Sequence, residues 1–195
     1  MQNIFFETIV RNIKCAKANE TKELTDGTKL IGHVPHIAPH AWLHNLYPVL
    51  SDEDIVIVEK KLKNEIPSSY KEFLLHCSNG LSIFSDTLSL FGFRKKIGRS
   101  IEDAWQPYSI FTPNIDERLQ DALPNHIFIG SYNWDGSLIY IDTTTNKVYR
   151  SSNESITPLN TWDNFETMLL AETKRIALFF NEYGIQKDEE ESTIP

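Results

Sequence analysis

Four histidines stand close together in the chain, at His33, His36, His40 and His44, and they are its first candidates for chemistry. On a helix, His40 and His44 share one face, a spacing that can hold zinc. Pro35 and Pro39 interrupt the segment, however. No cysteine lies near, and no glutamate stands between the pair as a metalloprotease would require. The segment therefore reads as a loop whose imidazoles cap neighbouring backbone groups or face water, with no metal ion and no other cofactor. Four imidazoles would still make such a loop sensitive to pH.

Nucleophile chemistry finds no motif. The chain lacks a Gly-x-Ser-x-Gly elbow, a Walker loop, a Gly-x-Gly-x-x-Gly turn and a Cys-x-x-Cys pair. Cys77 falls on the apolar stripe of a helix and is expected in the core, where a thiol is inert. Its neighbour His76 points elsewhere, because adjacent helical residues do not face each other. Paired carboxylates occur at Glu102 with Asp103 and at Asp135 with Asp142. Acid–base work needs two such groups converging in a cleft with separated pKa values. Asp135 already has a sufficient role in a turn, and Asp142 one at a strand end. Arg94, Lys95, Lys96 and Arg99 form a small basic patch that reads as a solvated strand end. No catalytic residue is assigned.

The aromatic residues carry more. Trp105, Tyr108, Phe111, Tyr132 and Trp134 cluster in the loops around the expected strands. Tryptophan and tyrosine at a surface are favoured anchors of protein interfaces. Glu102, Asp103 and Asp135 would give such a patch an acidic rim, which speeds encounter with a basic partner. The candidate partner-binding residues are therefore Glu102, Asp103, Trp105, Tyr132, Trp134 and Asp135, against the alternative that Trp105 and Trp134 pack beneath residues 94–124.

These residues need elements to position them. Ile4, Phe5, Ile9, Ile13 and Cys15 lean to one face of an amphipathic helix. Thr25 to Thr28 reads as a turn, and residues 31–50 as a loop or broken helix. Ser51 with Asp54 is a helix-starting pair, followed by Ile55, Val58 and Leu62 at helical spacing. Ile66-Pro67 makes a sharp joint to a second helix bearing Tyr70, Phe73, Leu74 and Cys77, closed by Asn79-Gly80. Short strands are expected at Leu81 to Phe84, Leu88 to Phe93, Ile127 to Tyr132, Ser137 to Asp142 and Lys147 to Arg150. Asp135-Gly136 suits the tight turn of a hairpin. Asn114 is expected to cap a short helix, and Asp163 with Glu166 to start the last one, which Gly184 ends. Runs of this kind predict an α+β fold, with an antiparallel sheet of about four to six strands packed against N-terminal helices and a C-terminal helix. Residues 1–50 are expected as an extension docked on the core, 51–184 as the domain, and 185–195 as an acidic disordered tail.

The run Ile66-Pro67-Ser68-Ser69-Tyr70-Lys71-Glu72-Phe73-Leu74-Leu75, ending in Asn79-Gly80, resembles the hallmark of the SUKH superfamily. Ile129-Gly130, Asp135-Gly136, Ile141-Asp142 and the helix from Trp162 to Leu169 are similar to its later motifs. The resemblance covers about residues 50–184. It departs in the long N-terminal lead-in, and at Trp134-Asp135-Gly136-Ser137, where many members carry glycine- and aspartate-rich runs. It implies an α+β fold and no enzymatic activity. It implies, for many bacterial members, immunity proteins that bind and neutralise a cognate polymorphic toxin, and, for eukaryotic members, signalling scaffolds of glucan-synthesis regulation. It transfers no catalytic or contact residues.

Composition limits the rest. A chain of 195 residues with 41% hydrophobic and 24% charged residues is ordinary globular usage. Its apolar runs are too short to span a bilayer, Met1 to Val10 lacks a basic leader, and two cysteines form no disulfide framework. A cytoplasmic setting is expected. The net charge is −8, spread as +1 over residues 1–50, −3 over 51–124 and −6 over 125–195. That field repels phosphate backbones and anionic lipid. The resemblance implies a toxin domain as partner, and the charge argument makes it a basic nuclease, with no direct nucleic-acid or membrane binding expected. The alternative is an intracellular scaffold or regulator without a toxin partner.

Overall fold

The computed structural model describes residues 4–96, 98 and 105–195. The order of elements is α1 (Ile4–Ile13), β1 (Thr21–Glu23), β2 (Lys29–His33), β3 (Trp42–Leu46), α2 (Asp52–Leu62), α3 (Ser68–His76), β4 (Leu81–Ile83) and β5 (Leu88–Leu90). A π-helical turn (Thr112–Asp116), β6 (His126–Tyr132), β7 (Leu138–Asp142), β8 (Val148–Ser151), β9 (Asn160–Trp162) and α4 (Phe165–Ala177) follow.

Each strand pairs antiparallel with the next in the chain, from β1 to β9. The class is α+β with an antiparallel sheet, as expected, but the sheet has nine strands among the described residues, not four to six. Three of the extra strands lie in the N-terminal fifty residues, where β3 and the end of β2 replace the loop or broken helix expected over residues 31–50. Thr21↔Ile31 and Glu23↔Lys29 close β1 on β2 around the Thr25–Thr28 turn, and Lys29↔Leu46 and Ile31↔His44 join β2 to β3. Leu46↔Leu81 then stitches β3 to β4, so the N-terminal meander and the later one share a sheet. The fourth addition, β9, pairs Trp162 with Val148.

α1, α2 and α3 are where the residue spacing placed them, whereas α4 ends at Ala177, short of the expected Gly184. Ser51 Oγ accepts from Asp54 N–H while the Asp54 carboxylate accepts from Ser51 N–H, so two orphan donors of α2 are satisfied at once. α3 buries Tyr70, Phe73 and Leu74. Its ring Tyr70 meets Phe165 of α4 edge-on at 5.1 Å, and Phe73 meets the same ring at 5.4 Å. The Tyr70 hydroxyl donates to the carbonyls of Phe91 and of Ile129, the latter at 3.2 Å, which ties α3 to the centre of the sheet. Asn79 clamps the chain beyond β5: its side chain accepts from Phe93 N–H at 2.7 Å and donates to Phe93 C=O at 2.9 Å. Gly92 lies so close to this clamp that a Cβ there would sit 2.4 Å from the Asn79 carbonyl oxygen. At the bulge in β6, a Cβ on Gly130 would sit 2.6 Å from the Ser89 carbonyl oxygen.

The core is one continuous cluster. Ile127 and Ile129 of β6, and Ile139 and Ile141 of β7, join it with Ile9 and Ile13 of α1. Alternate positions of β6, β7 and β8 turn Phe128, Tyr140 and Tyr149 to the other face, where the Tyr140 ring lies 5.7 Å from Phe128 and 5.2 Å from Tyr149.

Three local expectations are corrected. Asn114 caps no α-helix; it is buried, accepts from Phe128 N–H at 2.9 Å and donates to the carbonyls of Phe128 and Ile110. The last helix starts one residue later than the Asp163–Glu166 pair, because Asn164 and Thr167 exchange the reciprocal bonds. The C-terminal stretch, expected as a disordered tail, runs back onto the protein: Thr193 is buried, and its carbonyl accepts from Arg175 at 2.7 Å. Arg150 likewise donates to the Pro195 carbonyl at 3.0 Å.

Candidate functional site

The β6–β7 hairpin carries an exposed tryptophan, Trp134, at its tip. Its tip is fixed from inside. Tyr132 N–H donates to Ser137 C=O at 2.9 Å, Gly136 takes a positive φ of 69°, and Asp135 accepts from Ser137 N–H at 2.9 Å. The Asp135 carboxylate also meets the Arg150 guanidinium at 3.1 Å. Burial pushes the Asp135 carboxyl up, but the bonds from Ser137 and Arg150 outweigh it and hold the group below its ordinary range. Arg150 itself is buried and donates to Ser137 Oγ at 2.9 Å and Asn160 Oδ1 at 2.6 Å. A buried guanidinium with this many partners locks the tip to β8, β9 and the C-terminal stretch.

On that locked tip Trp134 stands 44% exposed. It lines a cleft of about 390 Å³ with Ile37, Phe84, Phe180, Ile185 and Glu189, among others. Ile37, on the loop between β2 and β3, is 53% exposed, and Ile185, beyond α4, is 39% exposed. Phe84 forms part of the cleft's lining. Phe84, Ser85 and Asp86 adopt positive φ angles of 50°, 53° and 69°, a run of left-handed residues with no glycine in it. Such a backbone persists only where its surroundings impose it. Here Phe84 stacks on Phe180 at 4.6 Å and meets His44 edge-on at 4.7 Å.

The other expected site residues go elsewhere. Tyr132 is fully buried, not a surface anchor; its hydroxyl donates to Glu172 at 2.7 Å, and Arg175 holds the same carboxylate at 2.6 Å. Burial and then the Glu172 charge push the Tyr132 phenol well above its ordinary value. Trp105 lines a separate cleft of about 180 Å³ with Tyr47, Phe93, Lys95 and Pro107. Glu102 and Asp103 lie outside the described residues, as does Arg99. Lys95 of the basic patch pairs with Asp54 at 2.6 Å. The structure thus brings together Trp134 and Asp135 on one hairpin and leaves Trp105 apart from them. The apolar walls Ile37 and Ile185 were missed, and only their lack of helical or strand spacing could have flagged them.

The candidates for chemistry do not converge. His33 packs against Trp42 at 5.0 Å and His36 lines the Trp134 cleft. His40 is exposed and His44 fully buried. Phe84 N–H donates to His44 Nδ1 at 3.2 Å, and burial drives the imidazole pKa down to about 3 against a weaker opposing pull from the Ile13 backbone. No three histidine, cysteine or carboxylate groups gather for a metal among the described residues. Asp135 and Asp142 flank opposite ends of β7, about 13 Å apart or more at the rise of an extended strand. Burial raises the Asp142 carboxyl, but bonds from Thr144 and Asn125 bring it down to about 2. Cys77 is buried, as is Cys15, whose thiol is pushed up by burial. No helix among the described residues is long and apolar enough to cross a membrane.

A family model, SMI1 / KNR4 family (SUKH-1), matches residues 49–171, more than half of the chain. No curated protein matches. The matched segment begins just before α2 and ends within α4. Trp134 and Phe84 lie inside it, and Ile37, Phe180, Ile185 and Glu189 outside it.

Proposed function

This chain belongs to the SMI1 / KNR4 family (SUKH-1), and from that premise we propose that it is an immunity protein, which binds a cognate polymorphic toxin and neutralises it without chemistry of its own. The observation that carries this reading is Trp134: a large, amphipathic ring held in the open by a hairpin whose base is locked through Asp135 and Arg150. Exposed tryptophan on a rigid support is the typical centre of a tight interface, because little side-chain freedom is lost on binding. The net charge of −8 supports a basic partner such as a nuclease. Neutralisation is then occlusion: the acidic face covers the substrate channel of the toxin. The setting is the bacterial cytoplasm.

The test is co-expression. A toxin domain encoded beside this chain is produced in bacteria with and without it. Rescued growth and a co-purifying complex support the reading. If the neighbouring toxin kills equally in both strains, or no toxin gene adjoins, the chain is instead a scaffold of the glucan-synthesis-regulator type.

A further inference from the structure

We propose that the cleft beside Trp134 is the specificity pocket of this protein, and that it receives one bulky apolar side chain of a protein partner flanked by lysine or arginine. This deepens the reading of the chain as a partner-binding protein and rests on it. Three observations argue for it.

The first is where the apolar groups stand. Ile37, Trp134 and Ile185 line the cleft and each keeps more than a third of its surface in water. They come from three separate places in the chain. A pocket for a small molecule hides its apolar groups inside. Exposed walls of this kind are covered only by a second surface that overlaps the opening. A volume of about 390 Å³ suits one or two side chains.

The second is charge. Glu189 lines the cleft, and Asp188, Glu190 and Glu191 adjoin it in the chain, all exposed. Among the described residues no ion pair involves any of the four. An apolar pocket with an unneutralised acidic side selects an apolar anchor beside basic residues. An acidic or neutral neighbour would be rejected or weakly held.

The third is provenance. The floor and one wall, Phe84 and Trp134, belong to the segment that matches the family, whereas Ile37, Ile185 and Glu189 lie beyond it. The cleft is therefore a seam between the family-matched segment and segments outside that match. A site of that construction can differ in partner from one member to another while the domain stays the same.

The experiment is a titration followed by NMR. The ¹⁵N-labelled chain is titrated with the peptide Lys-Lys-Phe-Lys-Lys, and the indole N–H of Trp134, assigned by its loss in Trp134→Phe, is followed. The expected result is a saturating shift with a Kd of about 1 mM, the strength of a short peptide. It weakens at least about tenfold in Ile37→Asp/Ile185→Asp and, separately, in Glu189→Lys/Glu190→Lys/Glu191→Lys, by the loss of the anchor and of three favourable charges. All of these positions but the ring itself are surface sites, and Ile37→Ser/Ile185→Ser provides a second, uncharged variant. The proposal is overturned if the indole does not move. It is also overturned if Lys-Lys-Ser-Lys-Lys or Glu-Glu-Phe-Glu-Glu moves it equally, or if it shifts on dilution without peptide, which would assign the cleft to a second copy. Failure here is separable from failure of the immunity reading. A toxin domain that is bound and neutralised as well by Ile37→Asp/Ile185→Asp as by the parent chain removes the pocket and leaves the reading intact. Absence of any toxin complex removes the reading while the peptide titration still decides the pocket.

Discussion

Asp135 and Arg150 divide one hairpin tip into an exposed part and a fixed part. Asp135 had a legible turn role, since its carboxylate accepts from Ser137 N–H two residues on. Its pairing with Arg150 was not legible, because the two are brought together by the register of β7 on β8, which opposes Leu138 to Ser151. Arg150→Met would remove the guanidinium bonds to Asp135, Ser137 and Asn160, and a cost of about 3 kcal/mol is expected from the broken network. Asp135→Asn, at a partly exposed carboxylate, would cost less, and urea unfolding of the two variants checks the order. His44 supports a second prediction. Its folded pKa is about 3 against an ordinary 6.5, and it is fully buried. The unfolded chain therefore takes up the proton first, so stability is whole above pH 6.5 and falls as pH drops toward 3. At about pH 4.5 the loss through this group amounts to about 3 kcal/mol. Urea midpoints at pH 7 and 4.5 should draw closer together in His44→Asn than in the parent protein; an unchanged gap would show that His44 does not govern it. Four histidines close in sequence invited a common role, and the fold distributes them: His33 ends β2 opposite Trp42, His44 lies within β3 opposite Ile31, and His36 and His40 stand on the loop between the two strands.

At the scale of elements, the readable parts were those with local signals. The capping box of α2, the Pro67 joint, the apolar stripe of α3 and the Asp135-Gly136 turn all act within a few residues. The strands β1 to β3 have no such signal. β1 reads Thr-Lys-Glu and is exposed throughout, so only its pairing with β2 makes it a strand. β3 reads Trp-Leu-His-Asn-Leu, with a buried histidine where a strand pattern expects an apolar residue. The proline-rich stretch before it turns out to be a short loop between two strands. α2 offers a prediction of its own. It ends at Lys63, exposed and left-handed with φ 55°. Glycine adopts that conformation without the crowding a side chain meets. Lys63→Gly is expected to stabilise by about 1 kcal/mol, seen as a rise in Tm of several degrees. A fall in Tm would mean that Lys63 contributes more through its side chain than through its backbone.

For the whole molecule, the sign of the charge was legible and its placement only partly so. The acidic surplus over residues 125–195 includes the run Asp188 to Glu191, of which Glu189 lines the Trp134 cleft through the fold-back of the C-terminal stretch. A partner drawn in by that field should associate more slowly as salt rises, with dissociation little changed. Stopped-flow association at about 50 and 300 mM salt checks this, and salt-independent association would assign the encounter to the apolar cleft alone. The central claim is that binding through the Trp134 face is the whole activity, and it is tested most directly on the complex with the neighbouring toxin domain. Trp134→Ala should weaken that complex about 30-fold or more, chiefly by faster dissociation, with an unchanged Tm of the free chain. A complex of parental lifetime formed by Trp134→Ala would contradict the account.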